Sequence, residues 1–205
     1  MGCGSVAGFS QDWLCDDCRV AMAGLWLGAQ PLPEVPEAEA AAFAYRYAGP
    51  VKGVVARLKY SGVKKLAEPM AADMARAYRL LLPTGADVAT FVPMHPRRRR
   101  KRGFNHAELL ALSVAGAFDL PCEDLLARTK NVRQQARLSR KERLQNLRGV
   151  IDCRGSVQGR RVLLIDDICT TGATLRACAG VLKQAGAEAV YVLCYARAAL
   201  PKAEN

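Results

Sequence analysis

The residues best equipped for chemistry stand together at 166–174: Asp166 and Asp167, then Thr170, Thr171, Gly172, Ala173 and Thr174. Threonine hydroxyls donate hydrogen bonds, and glycine lets a backbone approach a ligand closely. If a helix begins here, its first amides are unpaired and its positive end faces the same point, which suits a phosphate. The two carboxylates accept hydrogen bonds, as a pair of vicinal sugar hydroxyls requires. A phosphate-donor loop beside a diol acceptor describes a site for a 5-phosphoribosyl group. A plainer reading is that acids favour the helix dipole. That accounts for one Asp, but not for two Asp, three Thr and a Gly in one stretch.

The flanking residues must position that loop. Val162, Leu163, Leu164 and Ile165 have the length and branching of a buried strand. Leu175, Cys178, Ala179, Leu182 and Ala185 recur at helical spacing. The acids then fall at the carboxyl end of a strand, where open α/β sheets bind ligands. The chain is expected to be turning already at the acids.

A second strand–loop–helix unit is expected at 88–118. A strand at 88–94 closes at Pro93-Met94-His95-Pro96. Six cations follow, Arg97, Arg98, Arg99, Arg100, Lys101 and Arg102, then Gly103-Phe104-Asn105 and a buried helix at 107–118. A charge run is usually a solvated face or a nucleic-acid patch. Beside a phosphate loop it also suits a pyrophosphate leaving group, and the whole run is read as a loop. Six cations exceed what one pyrophosphate needs, so Arg98, Arg99, Arg100 and Lys101 are candidates for nucleic-acid contact. Residues 128–148 hold eight basic residues and one acid, Glu142. Leu138, Leu144 and Leu147 keep helical spacing there, with Ser139 and Glu142 placed as a capping box. Arg137, Arg140 and Lys141 extend the nucleic-acid candidates. The chain carries 30 Lys+Arg against 19 Asp+Glu, a formal net charge of +11, which predicts a polyanionic partner.

At 205 residues the chain can build one α/β domain and a small appendage. Its 51% hydrophobic content excludes wholesale disorder. No apolar run approaches a membrane span. The first ten residues lack the pattern of a secretory signal, and a cytoplasmic location with reduced cysteines is expected. Cys3, Cys15 and Cys18 suggest a zinc ribbon, because a C-x-x-C turn aims two thiolates at one metal. The first knuckle lacks one Cys, so a shortened start and a degenerate site both stand. The organisation expected is a zinc-ribbon-like segment at 1–27, a Pro/Ala/Glu linker at 28–42, the α/β domain at 43–200 and a frayed tail at 201–205. Within the domain, a strand is expected at 43–47 and helices around 51–60 and 66–81. Further strands are expected at 149–153 and 189–195. Cys122, Cys153, Cys178 and Cys194 read as small buried hydrophobes. A reactive Cys169 is weighed against an inert one. His95 and His106 receive no catalytic role.

V-L-L-I-D-D-I-C-T-T-G-A-T resembles the PRPP motif of type I phosphoribosyltransferases. Leu58-Lys59-Tyr60-x-Gly62, Val92-Pro93-x-His95-Pro96-Arg97, Arg102-Gly103-Phe104-Asn105-His106-Ala107-Glu108-Leu109-Leu110 and Gln135-x-x-Leu138-Ser139-x-x-x-Arg143-x-x-Asn146 stand in the order of the ComF family. The resemblance implies a mostly parallel twisted α/β sheet flanked by helices, with an N-terminal zinc ribbon. It places the 5-phosphate on Thr170, Thr171, Gly172, Ala173 and Thr174, and the ribose hydroxyls on Asp166 and Asp167. Pyrophosphate would face Arg97, Arg102, Gly103, Phe104 and Asn105, under a hood containing Gln135, Arg143 and Asn146. Mg²⁺ would accompany PRPP, and Zn²⁺ the cysteines. His106 stands where Gln is commonest. The family is associated with natural competence and the handling of single-stranded DNA, alongside other DNA-uptake proteins. Two functions therefore compete: a PRPP-binding protein that supports DNA handling, and an active phosphoribosyltransferase with an unidentified base or nucleotide-related acceptor. A PRPP-sensing transcription regulator lacks a recognisable helix-turn-helix.

Overall fold

A computed structural model describes residues 14–81, 85–128 and 150–199. In chain order its strands are β1 (Trp26–Ala29), β2 (Ala40–Arg46), β3 (Val88–Phe91), β4 (Leu126–Arg128), β5 (Ile151–Cys153), β6 (Arg161–Cys169) and β7 (Ala189–Arg197). The α-helices are α1 (Asp16–Ala23), α2 (Gly49–Tyr60), α3 (Ala67–Tyr78), α4 (Pro96–Arg102), α5 (His106–Gly116) and α6 (Ala173–Gln184). Five strands form the main sheet in the order β1-β2-β7-β6-β3. β2, β7, β6 and β3 run parallel, and β1 pairs antiparallel with β2. β4 and β5 form a separate antiparallel pair.

The apolar run at 162–165 is buried on both faces, as a parallel sheet between helical layers demands. Leu163 and Ile165 belong with Met70, Met74, Leu110 and Val114 of α3 and α5 on one side. Val162 and Leu164 belong with Leu175, Cys178 and Leu182 of α6 on the other. Burying one such side chain contributes about 1.5–3 kcal/mol, so the two layers fix the register of β6.

That strand does not turn at its acids. β6 continues through Asp166 and Asp167 to Cys169, with Asp166 opposite Cys194 and Cys169 opposite Arg197 on β7. A paired strand sends successive side chains to opposite faces. Asp167 therefore leaves β6 on the Ile165 side, toward α2 and α5. Asp166 leaves it on the Leu164 side, toward α6.

The cationic run is likewise not a loop. It forms α4, with Pro96 at its start and His95 as N-cap, Nδ1 accepting from the Arg97 amide at 3.1 Å. Gly103 ends it in the left-handed region at φ +82°. Basic side chains in a last helical turn complement the dipole, which favours this ending.

The stretch 28–42 starts in β1 and ends in β2, so it is not a structureless linker. Prolines 31, 33 and 36 occupy only the connection between those strands, and Val35 within it is fully buried. The strand expected at 43–47 starts earlier, at Ala40, and is buried on both faces through most of its length. Among the described residues, no helix is long and apolar enough to cross a membrane.

Candidate functional site

The carboxyl ends of β3 and β6 open into a cleft of about 870 Å³. It is bordered on one side by Thr170 and Thr174, on its floor by Asp166 and Asp167, and on the other by Arg98, Lys101, Arg102, Asn105 and His106. The phosphate-type loop and the cationic segment, separated by more than sixty residues in sequence (102 to 166), thus face one space. Parallel pairing of β3 with β6 brings them together, since both loops follow carboxyl ends of neighbouring strands.

The phosphate loop is held from behind. Gly172 sits at φ +72°, and a Cβ there would come within 3.0 Å of Glu34 Cβ and 3.3 Å of Val35 Cγ2. Glycine is required here for both conformation and space. Arg197 pins the same wall, donating to the Pro31 carbonyl at 2.7 Å and pairing with Glu34 at 3.3 Å. Gly172 is the N-cap of α6 and no side chain caps it, so the first amides of the helix remain available to an anion. Cys169 is buried under the loop, and burial pushes its thiol up to about 11. It is a space-filler, not a nucleophile. Cys178 and Cys194 are fully buried, whereas Cys122 and Cys153 are only partly so.

The acids differ from each other. Asp167 is buried, and its carboxylate is engaged by the Lys59 ammonium at Oδ2 and by His106 Nε2 at Oδ1, 3.3 Å away. Burial alone would raise its pKa. Hydrogen bonding from His106 and the charge of Lys59 outweigh that and hold it well below the usual carboxylate range. Asp166 accepts the Asp167 amide at 2.8 Å through Oδ1 and forms no salt bridge among the described residues. Burial and the adjacent Asp167 charge push its pKa upward.

His106 has a defined tautomer. Arg102 Nη1 lies 3.1 Å from His106 Nδ1, and arginine can only donate. Nδ1 therefore accepts, and the proton resides on Nε2, pointed at Asp167. Lys59, Asp167, His106 and Arg102 form a continuous chain from α2 through β6 and α5 to α4.

The cationic wall is sorted by helical geometry. Arg98, Lys101 and Arg102 recur at three and four residues and border the cleft. Arg99 turns away to pair with Glu108 at 3.0 Å, and Arg97 and Arg100 are exposed outside the cleft. Arg128, at the end of β4, joins the wall; burial and the nearby Arg98 charge lower its pKa. Like charges brought together, with no ion pair to Arg98, Lys101, Arg102 or Arg128 among the described residues, mark a seat for a polyanion.

Gly103, Phe104 and Asn105 serve architecture. Asn105 is buried, caps α5 by accepting from the Ala107 amide at 3.1 Å, and donates to the Val92 carbonyl at 3.1 Å. Phe104 is buried beneath Lys64, whose ammonium lies 5.3 Å from the ring centroid. Lys59, His106 and Arg128 border the cleft without a sequence spacing that marks them as site residues. A lone Lys in a helix or an Arg opening a basic stretch carries no spacing signal. His106, at a helix start beside the basic run, is placed by its position to touch an anion, but nothing local points to Asp167. Gln135, Arg143 and Asn146, Arg137, Arg140 and Lys141, and Cys3 lie outside the described residues. Cys15 N-caps α1 and Cys18 is buried within it; neither borders the cleft.

Among the described residues one group can gather metal-binding atoms, His106, Asp166 and Asp167, within 4.8 Å of one another. His106 is held between Arg102 and Asp167, so the two carboxylates are the better placed metal ligands; each keeps a lone pair beyond its present partners. One carboxylate together with ligand phosphate oxygens is a donor set that suits Mg²⁺.

Residues 101–204 match the family described as "Phosphoribosyl transferase domain". The chain is 33% identical to Competence protein F of Haemophilus influenzae over 70% of its own length and 60% of that protein's. It is 32% identical to DNA utilization protein YhgH of Escherichia coli, over 74% of this chain and 69% of that one. It is 30% identical to Competence protein ComFC of Bacillus subtilis, over 69% of this chain and 57% of that one.

Proposed function

Since this chain belongs to the ComF family and carries its type I phosphoribosyltransferase fold, we propose that the cleft binds PRPP with Mg²⁺ and that the protein supports the handling of single-stranded DNA. One observation carries the PRPP reading: Thr170, Thr174, Asp166 and a cationic wall border a single cleft with no strong nucleophile among the described residues that line it. Thr170, Thr174 and the amides at the start of α6 take the 5-phosphate. Asp166 accepts from the ribose hydroxyls. Asp167 holds Lys59 and His106 in place. Arg98, Lys101, Arg102 and Arg128 receive the diphosphate. Asp166 and ligand oxygens would hold Mg²⁺, which would supply neutralisation of the diphosphate charge.

Support for the nucleic-acid role comes from the relatives' names, which refer to competence and DNA utilization, and from the cations outside the cleft. A cytoplasmic protein that meets other DNA-uptake proteins is consistent with both. Zinc on Cys3, Cys15 and Cys18 belongs to the same proposal; Cys15 and Cys18 bracket the first turn of α1, and a tetrahedral site needs further ligands.

A second reading is turnover, transfer of the phosphoribosyl group to a base or nucleotide-related acceptor with release of pyrophosphate. It is favoured by the same cleft, whose parts act by positioning and charge and need no covalent intermediate.

Calorimetric titration of PRPP with Mg²⁺ tests the reading. Saturable binding is expected for the wild type and a loss of at least tenfold for Asp166→Asn, with Thr170→Val/Thr174→Val equally impaired. A folded protein that gives no heat with PRPP overturns it. Pyrophosphate release on addition of candidate acceptors decides between the two functions.

A further inference from the structure

Tyr60 is the last residue of α2, directly after the Lys59 that anchors Asp167. Its side chain is unusual in the molecule. Large apolar residues exposed among the described residues are Val20, Tyr60, Leu80 and Leu112; of these only Tyr60 is aromatic, and only Tyr60 borders the cleft. Tyr60 is 76% exposed. The Arg102 guanidinium lies 5.1 Å from its ring centroid, and its Nη1 also meets His106 Nδ1 at 3.1 Å. A ring with a cation against one face and most of its surface in solvent leaves its other face open.

The charges around it extend beyond one small ligand. Arg98 and Lys101 border the same cleft as the ring. Arg97 and Arg100, three residues apart and therefore neighbours on α4, continue the positive surface outside the cleft. An aromatic face set among cations that track away from it is the arrangement that holds single-stranded nucleic acid, base on ring and phosphates on the basic residues. A base within a duplex is already stacked and cannot lie on the ring.

We propose that Tyr60, backed by Arg102, is a stacking platform for an unpaired nucleobase of a strand whose phosphates run along α4 through Arg97 and Arg100. This rests on the nucleic-acid reading above and adds a subsite to it. The strand's base then lies at the mouth of the PRPP cleft, one residue from the Lys59–Asp167 pair.

The test separates bases from phosphates. Binding of the full chain to a labelled oligothymidylate and to an abasic oligonucleotide of equal length is followed by fluorescence anisotropy at fixed salt. Wild type is expected to prefer the thymidylate by about tenfold, the effect of one stacked base. Tyr60→Phe keeps the preference. Tyr60→Ala and Tyr60→Leu, the latter retaining apolar bulk without a π-face, reduce it to within about twofold, with circular dichroism spectra unchanged. Equal weakening toward both oligonucleotides in the variants would show that the ring only props Arg102 and overturns the platform. Equal wild-type affinity for both also overturns it, while leaving strand binding through phosphates intact. Binding to neither removes the platform and the nucleic-acid reading together, and PRPP calorimetry on the same sample shows whether the cleft itself is working.

Discussion

His106 and Asp167 meet across the cleft floor, Nε2 to Oδ1, at 3.3 Å. The contact is directional, because Arg102 donates to the other ring nitrogen and leaves the Nε2 proton for the carboxylate. A side chain with one donor and one acceptor at its tip can replace the imidazole. His106→Gln should therefore keep PRPP affinity within about threefold. His106→Leu breaks both contacts and leaves a buried carboxylate short of a donor, at a cost of about 1–3 kcal/mol, or roughly 5- to 150-fold in Kd. Calorimetry on the two variants checks this; equal behaviour of Gln and Leu would contradict the chain.

Lys59 should matter for stability more than its position on an outer helix suggests. Lys59 is 19% and Asp167 4% exposed at the side chain, so the pair is largely out of water. Lys59→Met strands the carboxylate with His106 as its remaining partner. Breaking a buried pair from one side costs about 3–5 kcal/mol, and the lower end is expected here. Urea unfolding measures it, and a change under about 1 kcal/mol would show that water reaches Asp167.

Gly172→Ala should uncouple the phosphate loop from its support. The substituted residue must hold φ +72° with its Cβ against Glu34 and Val35. Left-handed strain in a non-glycine residue costs about 1–3 kcal/mol. Relief comes by moving the loop, so PRPP affinity falls together with stability. Thermal unfolding and calorimetry on one sample should show both losses.

The N-cap of α4 should be pH-sensitive. His95 Nδ1 can accept from the Arg97 amide only while unprotonated. Desolvation, followed by the charges of Arg128, Arg97, Arg98 and Arg100, lowers its pKa from the ordinary 6.5. The unfolded chain thus binds this proton more readily than the folded one, and the slope of stability with pH is positive in the window between the two pKa values. The contribution is complete above about 6.5 and is lost as pH falls through the folded-state pKa below it. Histidine NMR titration with hydrogen exchange at the Arg97 amide checks this. Pyrophosphate, by neutralising the guanidiniums, should move the His95 titration upward.

The fold was largely legible because its signals are local. A four-residue apolar run, a helical repeat of Leu175, Cys178, Ala179 and Leu182, and a threonine-rich turn between them state strand, loop and helix without outside help. The two-acid stretch misled on one point: nothing local says that β6 goes on to pair with β7 as far as Cys169. The cationic run misled for a similar reason, since like charges argue against a helix until its caps, His95 and Gly103, are counted. Lys59, Arg128 and the Val35 wall were illegible because their roles exist only across long separations. Lys59 reaches Asp167 over more than a hundred residues (59 to 167), and Val35 reaches Gly172 over a longer span (35 to 172).

The wall behind Gly172 has a practical consequence. Glu34 and Val35 precede the β2 strand at which the sequence pattern would invite a cut. A fragment beginning at Ala40 would keep four parallel strands and every residue that borders the cleft, yet its ligand loop would have lost the surface it leans on. Weak PRPP binding by such a fragment would report the missing buttress and say nothing about the whole chain.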